Sequence, residues 1–308
     1  MPCYKPMTAW YSKQVNKTGK RSLVFSPKAA EQPDDPVEIS CGQCIGCRID
    51  RSKQWATRCV HEASLYENNC FITLTFSPEH LEQRENPWSL DVRDWQLFMK
   101  RLRKKFGSKI RFFHCGEYGD KNGRPHYHAC LFNFDFPDKV LWKETNGYRL
   151  YISESLSDLW PYGFSTIGDV TFESAAYVSR YIMKKITGEL AETHYTYMDE
   201  TTGELHSIKP EYITMSRRPG LATDWYKKYK TDLYPSDFIT IQGRKLKVPK
   251  FYDKKLELED IETYDEIKER RKITALDHHE NNTYERLQVR EQITKLKLDR
   301  LPRNHDED

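Results

Sequence analysis

The stretch that most restricts the fold is GRPHYHACLF, residues 123–132, where an apolar run carries His126 and His128 two positions apart. Side chains of a strand alternate between faces, so as a strand this run sends both imidazoles out of one face. Upstream, KIRFFHCGEYG (109–119) reads as a second strand, and the polar DKNGRP between the two predicts a hairpin. The hairpin brings Glu117 across from the histidines. Two imidazoles and one carboxylate leave coordination positions open, as a catalytic metal site requires. His114 competes as third ligand, although alternation turns it to the face opposite Glu117. A histidine-triad nucleotide hydrolase needs a third histidine at 130, where Cys130 stands instead. His/Glu ligands accept Mg2+ or Mn2+, and a pair of metal-free polar histidines is the plain alternative.

Around this hairpin the chain alternates strand and helix patterns. CFITLTFSP (70–78) reads as a strand, residues 89–107 as an amphipathic helix ending at Gly107, and 164–170 as a short strand after a helix at 152–160. A helix over 171–188 has Thr171 as N-cap. Residues 238–252 alternate like a hairpin around Gly243, and 254–298 form one or two charged, solvated helices. Residues 1–40 read as irregular, with EQPDDP an exposed loop. The class is α+β, a central antiparallel sheet with helices packed on it. The expected division is an N-terminal Cys-rich module with its helix (1–69), a catalytic domain (70–235), and a hairpin with a charged helical tail (236–308).

Two further constellations carry chemistry. In YVSRYIMKK, Tyr177 and Tyr181 are four apart on a helix, so both hydroxyls leave one face, flanked by Arg180, Lys184 and Lys185. Such a face is either core with snorkelling cations or a pair of nucleophiles beside a bound phosphate. The lysine three residues after Tyr181 makes Tyr181 the expected first nucleophile and Tyr177 the terminating one. CGQCIGC places Cys41, Cys44 and Cys47 at C-x2-C-x2-C spacing, with Cys3 as fourth thiolate, which suits tetrahedral Zn2+. An iron–sulfur cluster or free thiols are the alternatives, and Cys59 or His61 could replace Cys3. Arg48, Arg51, Lys53 and Arg58 on the following helix form a basic face that could meet a DNA backbone.

Charge narrows the partner. The net charge is only +3, but residues 251–308 are net acidic and the rest of the chain is net basic, which fits a polyanion binder. The 19 Tyr and 7 Trp suit stacking on unpaired bases. Without a long apolar run or a signal-peptide pattern, the chain is expected to be soluble and intracellular, with no membrane partner.

The ordered set of motifs resembles the HUH endonucleases of rolling-circle replication, and more narrowly the replication initiators of gokushoviruses, single-stranded DNA phages of the microvirus group. The match lies in CGQCIGCRIDRSKQWATRC (41–59), CFITLTF (70–76), GEYGDKNGRPHYHACLF (116–132), AAYVSRYIMKK (175–185) and MSRRPGLATDWY (215–226). The resemblance implies an HUH fold with the His strand central and the tyrosine helix across the metal face. It makes His126, His128 and Glu117 the metal ligands, Tyr177 and Tyr181 the nucleophile pair, and Lys184 the phosphate-orienting base. Arg124, Arg180 and Lys185 become DNA contacts, and FITLTF a structural motif. The implied reaction is transesterification on viral origin DNA, single strand and duplex, in the cytoplasm of a bacterial host. It leaves a 5′-phosphotyrosyl end and a 3′-OH primer. No G-x-x-x-x-G-K-[ST] occurs, so unwinding would fall to a host helicase and extension to a host DNA polymerase. Within the HUH class a transposase or relaxase is the rival reading. Outside it, the rival is a non-catalytic, zinc-containing origin- or RNA-binding protein.

Overall fold

A computed structural model describes residues 3–17, 19–119, 123–145, 147–180, 190–198 and 203–300. In chain order it begins with strands β1 (Met7–Val15), β2 (Arg21–Val24) and β3 (Val37–Ile39), then helix α1 (Ile45–Ala63) and strand β4 (Asn69–Thr75). Helices α2 (Pro78–Glu82) and α3 (Val92–Phe106) lead to the hairpin of β5 (Arg111–Tyr118) and β6 (Pro125–Phe132). A second hairpin, β7 (Val140–Thr145) and β8 (Tyr148–Ile152), precedes α4 (Glu154–Leu159), β9 (Ser165–Gly168) and α5 (Phe172–Arg180). Then come α6 (Leu190–His194), β10 (Thr196–Met198), β11 (Leu205–Ser207), β12 (Tyr212–Met215) and α7 (Thr223–Leu233). The chain closes with β13 (Ile239–Ile241), β14 (Arg244–Leu246), α8 (Lys250–Glu259), α9 (Ile261–Leu276) and α10 (Tyr284–Asp299).

Two compact units emerge, one of Met1–Arg51 with Glu269–Pro302, the other built on Ser52–Lys268. The second holds a seven-stranded sheet in the order β12-β5-β6-β4-β9-β8-β7, every pairing antiparallel. The class is α+β with a large antiparallel sheet, as the alternation in the sequence predicts. β6 lies inside the sheet, and all eight of its residues are buried.

Strand periodicity divides the core into two layers. On one face Ile72 and Leu74 of β4 with Tyr127, Ala129 and Leu131 of β6 pack against Trp95, Phe98, Met99 and Leu102 of α3. On the other, Phe71, Phe113, Cys115, Cys130 and Phe132 pack against Ala56 and Cys59 of α1 and Ala175, Tyr177 and Val178 of α5. Small side chains let α5 approach α1 closely, for Ser52 Oγ lies 2.9 Å from Ser179 Oγ and donates to the Ala176 carbonyl. Thr171 caps α5 in a reciprocal pair with Ser174, each side chain accepting from the other's backbone N–H. The continuation of that helix predicted to 188 lies outside the described residues.

Three expectations are corrected. Residues 1–40 are not irregular, since β2-β1-β3 form an antiparallel sheet, although residues 31–36 are exposed as predicted. Residues 140–152, read without strands, form the outer hairpin of the large sheet. The charged segment folds as α8, α9 and α10, one helix more than expected. The hairpin around Gly243 is present, with Gln242 and Gly243 both at positive φ (49° and 73°), the conformation a two-residue turn between twisted strands needs.

Candidate active site

The β5–β6 register pairs Glu117 directly with His126 and Cys115 with His128. Directly opposed residues share a face, and His128 follows His126 by two. The three side chains therefore converge. His128 Nε2 lies 2.7 Å from Glu117 Oε1 and His126 Nε2 lies 3.6 Å from it. All three residues are buried, and one ligand atom from each falls within 4.8 Å of the others. The donor set fits a divalent cation with open coordination positions. His114 takes the opposite face, as alternation requires. It stacks on Trp95 with ring centroids 3.8 Å apart, and its Nδ1 hydrogen-bonds the Thr214 hydroxyl 2.9 Å away. Burial, and secondarily the charge of His128, hold its pKa well below the ordinary range.

α5 brings Tyr177 over this centre. Its ring meets that of His128 edge-on at 5.0 Å and packs against Phe71, and the residue is only 6% exposed. The Arg180 guanidinium lies 5.8 Å from the Tyr177 ring. Tyr181, Lys184 and Lys185 lie outside the described residues. Arg124 is half-buried just before β6, where its carbonyl accepts from the Gly119 N–H.

Sequence reasoning treated FITLTF as structural and missed Thr73. In the β4–β6 register Thr73 stands opposite His128, and its hydroxyl hydrogen-bonds His128 Nδ1 at 3.0 Å. That contact leaves Nε2 to face Glu117. The only hint in the sequence was the T-L-T alternation, which turns Thr73 and Thr75 away from Ile72 and Leu74.

The family model for replication-associated protein ORF2/G2P matches residues 69–186, the span that carries the triad and α5. The chain is 30% identical to replication-associated protein VP4 of Bdellovibrio phage phiMH2K over 86% of its own length and 89% of the relative's. The chain belongs to this replication-associated family. Replication-associated protein ORF2 of Spiroplasma virus 4 is 33% identical over 77% of this chain and 74% of its own. Replication-associated protein ORF4 of Chlamydia phage 1 is 29% identical over 73% of this chain, which spans 55% of that relative. No solved structure matches. The family membership agrees with the phage replication initiators that the motifs resemble.

In this replication-associated protein the four cysteines also converge, within the other unit. Their sulfurs all lie within 4.8 Å of one another, with Cys3 3.8 Å from Cys41 and Cys41 4.0 Å from Cys47. Sulfurs held tetrahedrally by zinc at about 2.3 Å stand about 3.8 Å apart, so the spacing fits a four-thiolate centre. Backbone N–H groups of Tyr4, Cys41 and Cys44 donate to Cys44, Cys3 and Cys41 sulfurs, each at 3.3 Å. Burial pushes the Cys44 thiol up, but the N–H groups of Tyr4 and Cys47 and the neighbouring thiols outweigh it and lower the pKa to about 7. The alternatives to Cys3 are excluded by position. Cys59 is sealed in the core under α5, and His61 stacks on Trp225 and hydrogen-bonds Tyr252.

Arg58, read as part of a basic DNA-facing helix, is instead buried. Its guanidinium sits over the rings of Trp55 and Phe251 and donates to the Leu221 carbonyl, and burial lowers its pKa to about 10. Beside it, Glu62 is buried in an ion pair with Arg111. Among the described residues no helix is long and apolar enough to cross a membrane.

Proposed function

We propose that this protein is an HUH-type, metal-dependent nickase that starts rolling-circle replication of a phage genome. The observation that carries the reading is the Glu117–His126–His128 cluster, placed in register on a sheet and roofed by the Tyr177 ring. A divalent cation bound by those three side chains, Mg2+ or Mn2+, would neutralise charge on the scissile phosphate and favour attack on it. Thr73 holds the His128 tautomer that presents Nε2. Tyr177 and Tyr181 supply phenols whose oxygen forms the new bond to phosphorus as its proton leaves. The bond from phosphorus to the 3′ oxygen breaks, and that oxygen takes up a proton to become a 3′-OH. Lys184 orients the phosphate, and Arg124, Arg180 and Lys185 bind neighbouring phosphates. The phosphodiester energy is conserved in the phosphotyrosine, so the second tyrosine can repeat the transfer and close the displaced strand.

The thiolate cluster of Cys3, Cys41, Cys44 and Cys47 binds Zn2+ in this reading and fixes the N-terminal segment. The substrate is origin DNA in the host cell, with host helicase and polymerase supplying unwinding and extension. Incubation with 3′-end-labelled single-stranded origin DNA and Mn2+, followed by a denaturing gel, tests the reading. Label should travel with the protein, and Tyr177→Phe/Tyr181→Phe and His126→Ala should abolish the adduct. An adduct that survives the double tyrosine substitution refutes the mechanism.

A further inference from the structure

Two large aromatic side chains of the sheet stand in solvent. Phe164 is 49% exposed and Trp142 45%, and their rings meet edge to face with centroids 5.0 Å apart. Their position follows from register. Thr75 of β4 is paired with His126, and the Phe164 carbonyl accepts from both the N–H and the hydroxyl of Thr75. Leu74 pairs with Ser165, so Phe164 stands opposite Thr75 and shares its face. A single cross-strand row thus runs Glu117, His126, Thr75, Phe164, and the Phe164 ring in turn meets that of Trp142. With strands spaced about 4.8 Å apart, Phe164 lies about 10 Å from His126, on the metal face. The floor between them is polar and half-buried, made of Thr73, Thr75 and Thr166. Gly163 keeps the row in place, because a Cβ there would fall 2.4 Å from the Thr75 carbonyl oxygen.

We propose that Phe164 and Trp142 form a base-stacking platform for unpaired DNA entering the site. This rests on the reading of the triad as a DNA-cleaving centre. The nearby charge has the sign such a ligand needs. Lys143 lies 6.0 Å from the Trp142 ring, while Lys139 and Arg149 of the same hairpin are ion-paired with Asp135 and Glu144. Aromatic faces beside cations hold single strands with little sequence preference. A duplex keeps its base faces inside the stack, so the platform distinguishes unpaired from paired DNA. The same hairpin also exposes Val140, Leu141, Tyr148 and Ile152; what favours a DNA strand over a protein partner is the polar threonine floor that joins the two rings to the triad.

The test uses the full chain without added Mg2+ or Mn2+ and without chelator, where binding is read without cleavage and the thiolate centre is left intact. Anisotropy of a fluorescein-labelled oligothymidylate of about 15 nucleotides should show Trp142→Ala and Phe164→Ala each weakening binding about tenfold, with duplex affinity little changed. Trp142→Phe should restore most of the affinity and Trp142→Leu little, a split that a packing role would not produce. Unchanged single-strand affinity in both alanine variants overturns the proposal, as does an equal loss on duplex. If sedimentation instead shows a dimer that Trp142→Ala dissociates while single-strand affinity is unchanged, the edge is a self-association surface and the proposal fails. Ring-dependent binding in a protein that forms no tyrosyl adduct would reject the nickase reading and leave the platform standing.

Discussion

Thr73→Val isolates the contact that orients His128, one of the three side chains proposed to hold the divalent cation. Valine matches threonine in shape, so packing against β6 and β9 is kept and only the hydroxyl at 3.0 Å from His128 Nδ1 is lost. When Nε2 faces a cation, Nδ1 carries the proton and donates to Thr73. His128 is 2% exposed, so water does not readily replace the lost acceptor. Removing the partner of a buried polar group costs about 1–3 kcal/mol. At about 1.4 kcal/mol per factor of ten, that is about 5- to 150-fold in affinity, the range found for outer partners of metal-bound histidines. Calorimetric titration of metal-free protein with Mn2+ measures it directly. Thr73→Ser should bind within a few-fold of wild type, and Thr73→Val should fall in the stated range. Wild-type affinity in Thr73→Val refutes the argument that this hydroxyl sets the tautomer.

Other outcomes follow from the same geometry. Cys44→Ser should release about one equivalent of Zn2+ per chain, detected by elemental analysis, and lower stability without abolishing adduct formation; a metal-free wild type of undiminished stability would count against the centre. Arg58→Ala should destabilise by about 3 kcal/mol, since it strips a buried cation from two aromatic faces and a carbonyl, yet leave the salt dependence of DNA binding unchanged; urea titration and anisotropy separate the two. Burial holds His61 down at about 3 and His114 well below its ordinary value, so the unfolded chain takes up protons below about pH 6.5 that the folded chain refuses. Stability is therefore lost as pH falls from about 6.5 toward 3, by about 2 kcal/mol at pH 5 from His61, with His114 acting in the same direction, and equal urea midpoints at pH 7.5 and 5 would contradict it.

How much of this was legible depends on the range of the interaction. Glu117, His126 and His128 are joined by one short hairpin, so period-two alternation alone placed them on a face and turned His114 away. Thr73 is brought to His128 by pairing across 55 residues, and no local pattern encodes that register. The β7–β8 hairpin carries a local signal, an Asn-Gly at 146–147 between β-branched and aromatic residues. Burial was the other blind spot. Arg58 counts as one more positive charge in the sequence, and only the rings of Trp55 and Phe251 show it to be core. The charge-rich α9 and α10 were solvated as read, because interspersed signs leave no wide apolar face to bury.

The complete burial of β6 has a consequence for how the triad fails. Two of its three side chains sit on a strand flanked on both sides by hydrogen-bonded neighbours, β5 and β4. Amides in such a strand exchange with solvent only through openings that cost nearly the full unfolding free energy. The ligand spacing therefore does not fray with temperature or with mild denaturant. Deuterium uptake at His126 and His128 should track global unfolding, while β7 at the sheet edge should exchange through far smaller local openings.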